Sequence, residues 1–413
     1  MIEIAVLLAL IVTGIAYFEL KGNFEGRVVY LIPSERFKRL IYRASTWIDW
    51  KTFGDIALAV IMGPLAFKKV ERKRWYILFL LLAPFIARSV NEFFPYLFMG
   101  ASGLALYYLF ASALSILYGY LHGIHPAPGV GLLIPGLSIG PFRVPLVEGV
   151  IALLIALIVH EGAHGCVAVR RNIPITRAGV ILLGFLPIGA FVDPSEHIFR
   201  KKNPVHRLHV LAAGPFANIV VGVAFFVLLF LLAPLSSAVL NYECTYGEGA
   251  RILSVPKTLE IDGKEYVSPA YGILKDGDVV IFFEENRIHC ASQLLDALSP
   301  FREREENATV SLVVLRGGVE KHVTITLNKG YLGVQGVETV LSSPPLWYYC
   351  AVFLISLVWW IAIVNMMIGI VNALPLPPLD GGQMFGIAYP RAAPLLTALT
   401  LALLVINILP WFF

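Results

Sequence analysis

Charge is what this sequence has little of. Of its 413 residues, 15% are Asp, Glu, Lys or Arg against 58% hydrophobic, and the mean hydropathy is +0.76. A soluble protein carries about one quarter charged residues, so a mainly water-exposed chain is excluded and most of this one is expected inside a lipid bilayer. The formal net charge of +4 is too small to suggest nucleic acid as a partner. The basic residues cluster instead in short loops, as juxtamembrane segments do. Cysteine is scarce too: four residues and no C-x-x-C pair, which excludes a zinc ribbon. Cys166 and Cys350 lie in or beside apolar stretches, Cys244 and Cys290 in the one polar region. Two free thiols are the favoured reading there, with a disulfide the alternative if that region faces an oxidising side. No internal repeat or low-complexity tract is evident.

Against that background one stretch holds polar groups where they are costly. The run Val147 to Val159, apolar but for Glu148, leads directly into His160-Glu161-Gly162-Ala163-His164. On a helix, two histidines four positions apart project from one face and can grip a single metal ion. Glu161, one position along, can reach a water held on that ion and act as its general base. The bland reading is a solvated charge triplet on a helix surface. At the end of an apolar span it is the costlier one, because each buried polar group then needs its own partner.

Taken in order, Ile2 to Tyr17 reads as a retained apolar span, since Glu3 stands where a signal peptide would be basic. A basic loop follows (Lys21, Arg27, Arg36, Lys38, Arg39, Arg43, Lys51), expected on the cytosolic face. Asp55 to Phe67 is apolar but short, a thin span or a re-entrant piece. Trp75 to Phe93 and Leu97 to Leu121 read as two more spans, and Gly123 to Pro145 as a Pro/Gly-rich non-helical loop. After the His-bearing helix, Ile173 to Phe191 is β-branched but punctuated by Gly and Pro, so strands or a hairpin dipping toward the site are expected. Leu208 to Leu240 is expected as one long helix. Between 242 and 340 the composition turns polar, with short strands and a helix candidate at Ser292 to Leu298, a module of about a hundred residues. Trp347 to Ala373 and Ala392 to Leu409 return to the membrane. The expectation is a polytopic α-helical membrane protein with about seven to eight hydrophobic helices, a membrane-associated β segment and an inserted soluble α/β domain, divided at 1–146, 147–241, 242–340 and 341–413. Arg170, Arg171, Arg177 and Arg200 to Lys202 put the metal end of the His helix nearer the cytosol and the polar module on the extracytosolic side.

A catalytic zinc takes three protein ligands and keeps one position open. Asp193, Glu196, His197, His206 and His209 fall in or just after a basic loop, where solvated roles fit better. Asp380 is the only acidic residue after Trp347 and follows a Pro-rich lead-in. It is the favoured third ligand, against the bland reading of a helix N-cap. Asn372 either satisfies backbone freed by Pro375, Pro377 and Pro378 or binds substrate or a developing oxyanion. In Gly214-Pro215-Phe216-Ala217-Asn218 the small residues allow close helix contact. Asn218 is a further candidate for contacting substrate or orienting a ligand or water.

These pieces resemble the site-2 proteases, intramembrane zinc metalloproteases. The matching residues are His160 to His164, Gly214 to Asn218, and Asn372-Ala373-Leu374-Pro375 leading to Leu379-Asp380-Gly381. The resemblance runs from about Val147 to the C-terminus. It implies one zinc held by His160, His164 and Asp380, with Glu161 activating the water. The substrate is then a single-pass membrane protein cut within its transmembrane helix, often after a first cut elsewhere. The polar module resembles a PDZ domain, in which Tyr331, Leu332, Gly333 and Val334 would form the carboxylate-binding loop for a peptide. The Ile173 to Phe191 segment is similar to β-structure of bacterial members that could pair with a substrate strand. One rival is a prenyl-protein endopeptidase, disfavoured because no Glu follows Trp347 to serve as third ligand. Another is a non-proteolytic PDZ-bearing scaffold or zinc-binding pseudoprotease, which would have no use for Glu161.

Overall fold

The computed structural model describes the chain apart from residues 1, 23–25, 27, 73–74, 87–88, 124–125, 132–133, 137, 140–141, 262–263 and 413. Two compact units emerge, one of residues 1–118, 127–229 and 356–413, the other of 119–126 and 230–355.

In the first unit, α1 (Ile2–Lys21) leads through β1 (Val29–Pro33) to α2 (Glu35–Ala44), α3 (Trp50–Met62), α4 (Tyr76–Ile86) and α5 (Val90–Leu121). A short ladder of β2 (Ser138–Ile139) and β3 (Phe142–Arg143) precedes α6 (Leu146–Arg170). The hairpin β4 (Ile175–Leu183) and β5 (Leu186–Pro194), α7 (Glu196–Lys201) and α8 (Pro204–Leu231) follow. In the second unit, α9 (Ala233–Tyr246) precedes β6 (Ala250–Ser254), β7 (Thr258–Ile261), β8 (Lys264–Val267), β9 (Val279–Phe283) and β10 (Asn286–Arg287). Then come α10 (Ala291–Glu303), β11 (Thr309–Arg316), β12 (Val319–Thr326) and β13 (Gln335–Thr339). Helix α11 (Leu346–Asn372) runs back into the first unit, which closes with α12 (Asp380–Ala388) and α13 (Ala393–Ile408).

Among the described residues five helices are long and apolar enough to cross a membrane: 91–121, 146–170, 204–231, 346–372 and 393–411. The other expected apolar segments are α1, the 13-residue α3 and the 11-residue α4. Three boundaries differ from the sequence expectation. The break expected between Phe93 and Leu97 lies at Gly100 (φ 60°), inside α5. There Gly100 meets Gly63, also at positive φ, so closely that a Cβ on either would strike the other's backbone. The single helix expected over Leu208 to Leu240 is two, because Pro234 opens a fresh helix after Leu232. The basic loop after α1 also contains structure. Val29 to Pro33 pairs antiparallel with Leu183 to Gly179, making a sheet in the order β1-β4-β5. Ser34 then caps α2 by accepting the Phe37 N–H.

Small residues set the helix packing around α6. Gly149, Ala152, Ala156, His160 and Ala163 recur every three or four positions and are buried. Ala152 and Ala156 cluster with Ile361 and Val364 of α11, with Val221 and Phe225 of α8 alongside. Helices α8 and α11 touch at two glycines: a Cβ on Gly222 would lie 3.0 Å from Met366 N, and one on Gly369 2.7 Å from Pro215 O.

The second unit is built on a sheet in the order β12-β11-β9-β6-β13, with β10 on β9. Its core is Ala250, Ile252, Val280, Phe283, Leu294, Leu298, Val310, Leu312 and Val314. Cys244 and Cys290 are joined as a disulfide. This corrects the expectation of free thiols, whose spacing of 46 residues gives no hint that the end of α9 meets the start of α10. The helix expected at Ser292 to Leu298 is the middle of α10.

Candidate metal centre

The two imidazoles close the buried stripe of α6. Each points its Nε2 at one oxygen, Asp380 Oδ2, at 3.0 Å from His160 and 3.2 Å from His164. The three donors lie within 4.8 Å of one another, and all three residues are buried. Asp380 opens α12 but caps nothing, since Leu379 is the N-cap and makes no side-chain cap bond. The sequence after Asp380 explains how the carboxylate gets there. A Cβ on Gly381 would lie 2.3 Å from Ala373 O, and one on Gly382 2.2 Å from Pro377 N. Only glycine lets the start of α12 press against the loop that brings it back.

Gly214 on α8 clears the space in front of the donors. A Cβ there would lie 2.3 Å from His164 Nε2 and 2.8 Å from His160 Nε2. The far nitrogen of each ring is also accounted for. His164 Nδ1 lies 2.6 Å from the Val210 carbonyl. A carbonyl can only accept, so Nδ1 carries a proton and Nε2 is the nitrogen turned toward the other donors and available to a metal. His160 Nδ1 lies 3.3 Å from the Asn218 amide nitrogen, while Asn218 Oδ1 is buried without a partner. A half turn of the amide places Oδ1 on Nδ1–H, satisfies that oxygen and leaves His160 Nε2 available as well. Two imidazole nitrogens and a carboxylate oxygen at such distances need a positive charge between them, either a proton or a metal cation that all three can share. The donor set, its burial and the Gly214 clearing therefore fit a zinc ion with one open position.

Glu161 sits beside these ligands, and its Oε2 accepts the backbone N–H of Val192 on β5 at 3.0 Å. A cavity of about 830 Å³ joins His160, Glu161, His164 and Asp380 with Asn372. Asn372 donates its amide to Ile368 O at 3.0 Å and lines that cavity. Asn218 is fully buried and touches His160. The carboxylates set aside earlier stand farther along the cavity: Asp193 pairs with Arg177 at 3.1 Å and Glu196 with Arg200 at 2.6 Å. His209 is fully buried, 3.2 Å from Asp55 Oδ1 and 2.5 Å from Arg171. This pairing fixes α8 against α3 one residue before the carbonyl that orients His164. Tyr331 to Val334 lie in the second unit and lead into the edge strand β13. Gly333 has φ 84° and its carbonyl accepts from Ser268 Oγ at 2.6 Å, while Leu332 is buried and Tyr331 partly exposed.

Apolar helices of membrane length that gather such a donor set and a neighbouring carboxylate define one class, the polytopic membrane metallopeptidases. Within it the chain belongs to Peptidase family M50, the site-2 protease family, whose sequence pattern matches residues 148–408. It is 27% identical over 249 residues to an uncharacterized protein of Methanocaldococcus jannaschii, covering 60% of this chain and 58% of that one. A candidate zinc metalloprotease of Fusobacterium nucleatum is 24% identical over 57% of this chain and 85% of its own length. A membrane-bound transcription factor site-2 protease homolog of Arabidopsis thaliana is 24% identical over 41% of this chain and 30% of its own. The chain thus spans less than two thirds of the archaeal and plant relatives.

Proposed function

We propose that this protein is a zinc endopeptidase that hydrolyses a peptide bond within the transmembrane segment of single-pass membrane proteins. The observation that carries the reading is the meeting of His160 and His164 with Asp380 in one cavity with Glu161. Zinc, when bound by His160, His164 and Asp380, would supply Lewis acidity toward the scissile carbonyl and lower the pKa of an attacking water. Glu161 takes the proton of that water and later passes it to the leaving amine. Its Val192 hydrogen bond holds the carboxylate at the edge of β5. A transmembrane helix must unwind to be cut, and β5, the outer strand of its sheet, offers main-chain partners beyond Val192 to the unwound strand. Asn372 is placed to hydrogen-bond the substrate backbone or a developing oxyanion.

The basic run about Arg170, Arg171, Arg177 and Arg200 to Lys202 supports a metal centre nearer the cytosolic face. The Cys244–Cys290 disulfide supports an oxidising compartment for the second unit. We read that unit as PDZ-like, because β13 is an edge strand reached through the Tyr331 to Val334 loop, and its ligand as an extended peptide. Glu161→Gln should lower cleavage of a model transmembrane substrate about 100-fold or more, the general-base contribution, while one zinc per chain is retained. Full proteolysis by that variant would refute the role of Glu161.

A further inference from the structure

Three arginines line the metal cavity, and two are matched by acids: Arg177 by Asp193 and Arg200 by Glu196. The third, Arg207, has no carboxylate within ion-pair distance among the described residues. Its guanidinium carbon lies 5.4 Å from the centre of the Phe199 ring, and its Nε is buried with no hydrogen-bond partner. Stacking on an aromatic face stabilises the cation but satisfies none of its in-plane donors, which fit a carboxylate in bidentate fashion. A half-buried guanidinium left unmatched where its neighbours are matched is therefore set for an anion that the chain does not provide.

Its place along α8 says where that anion belongs. Arg207 and Gly214 are seven residues apart, two turns of helix on one face and about 10 Å along the axis. Gly214 lies against the Nε2 atoms of both histidines. An extended peptide advances about 3.3 Å per residue, so a substrate strand cut at the metal centre brings a side chain about three residues away level with Arg207.

We propose that Arg207 forms a subsite for an acidic side chain of the substrate, about three residues from the scissile bond on the side leading to the start of α8. This rests on the protease reading of the same cavity. The anion is assigned to the substrate peptide rather than to a lipid because Arg207 lines the same cavity as Glu161 and Asp380, where the peptide bond is cut.

The test uses the full chain in phosphatidylcholine nanodiscs and fluorescent transmembrane peptides that carry Asp or Asn two to four residues to either side of the bond cut. Binding to the metal-free protein is read by fluorescence anisotropy, and cleavage by the zinc-loaded protein as kcat/KM. At one of these positions Asp should bind about tenfold tighter than Asn, the value of one good charge-assisted contact. The ratio should fall to about one in Arg207→Gln, and Arg207→Glu should favour Lys at that position. Zinc content of one per chain certifies that each variant is folded. No Asp preference at any position, or one that survives Arg207→Gln, overturns the subsite. Arg207-dependent binding of phosphatidylglycerol without any Asp preference makes it a lipid phosphate site and also overturns it. Arg207-dependent Asp preference in binding, with no peptide cut by the wild type, keeps the anion subsite and takes down the protease reading alone.

Discussion

At the scale of single residues, the metal centre depends on how each imidazole is held. His164 is fixed by a main-chain carbonyl and His160 by the Asn218 amide. Replacing Asn218 by Leu should leave the fold intact and weaken zinc binding about 10- to 100-fold, the usual cost of losing a partner behind a ligating histidine. Competition against a chelator of known affinity measures this, and a change below twofold would contradict it. Gly214→Ala should be harsher, because the methyl group would occupy the space before both Nε2 atoms; zinc should be lost at unchanged helix content. His160, Glu161, His164 and Asp380 were legible in the sequence because their side chains are conspicuous in apolar company. Val192 and Val210 were not, since they act through main-chain atoms and any residue could stand there. Asn218 was visible as a polar residue, but which group it touches depends on how α8 crosses α6.

At the scale of elements, apolar runs announced the long helices, while their breaks answered to tertiary contacts. The kink at Gly100 exists because α5 crosses Gly63, which no local pattern in α5 encodes. Strand β1 had a signal in Val29-Tyr30-Leu31-Ile32, masked by the surrounding basic residues, and its partner β4 lies some 150 positions on. The Gly381-Gly382 pair is in the structure a close-contact surface for the loop from Ala373 to Pro377. Gly381→Ala should therefore displace Asp380 and lower both zinc occupancy and cleavage, with the apolar helices unaffected by circular dichroism. In the second unit, buried Asp278 accepts from Arg316 at 2.6 and 2.8 Å and from the Lys275 N–H at 2.9 Å. Burial pushes its carboxyl up, but these donors outweigh it and hold the group below its ordinary range. A carboxyl lowered in the folded state stabilises fully above its unfolded pKa, and that gain is lost as pH falls through the folded value. Thermal melting of the second unit should accordingly weaken below about pH 4. Arg316→Ala should cost about 2 kcal/mol at neutral pH by leaving the acid unmatched. A melting profile flat in acid, or an unchanged variant, would contradict the pairing.

At the scale of the whole molecule, membrane residence was written in the composition and the polar module in the change of composition near residue 242. The disulfide could not be read, because pairing depends on α9 and α10 meeting within one folded unit. Mass spectrometry of the non-reduced protein should find one Cys244–Cys290 bridge and two alkylatable thiols, Cys166 and Cys350. Four free thiols in protein from its native compartment would remove the support for an oxidising side. The most direct test of the central claim is zinc X-ray absorption on the purified chain and on Asp380→Ala. The expected spectrum has one zinc per chain, imidazole nitrogens and carboxylate oxygen at about 2.0–2.2 Å, with the metal lost or its oxygen shell altered in the variant. A sulfur shell, or an identical spectrum and undiminished zinc content in Asp380→Ala, would contradict a centre built from His160, His164 and Asp380.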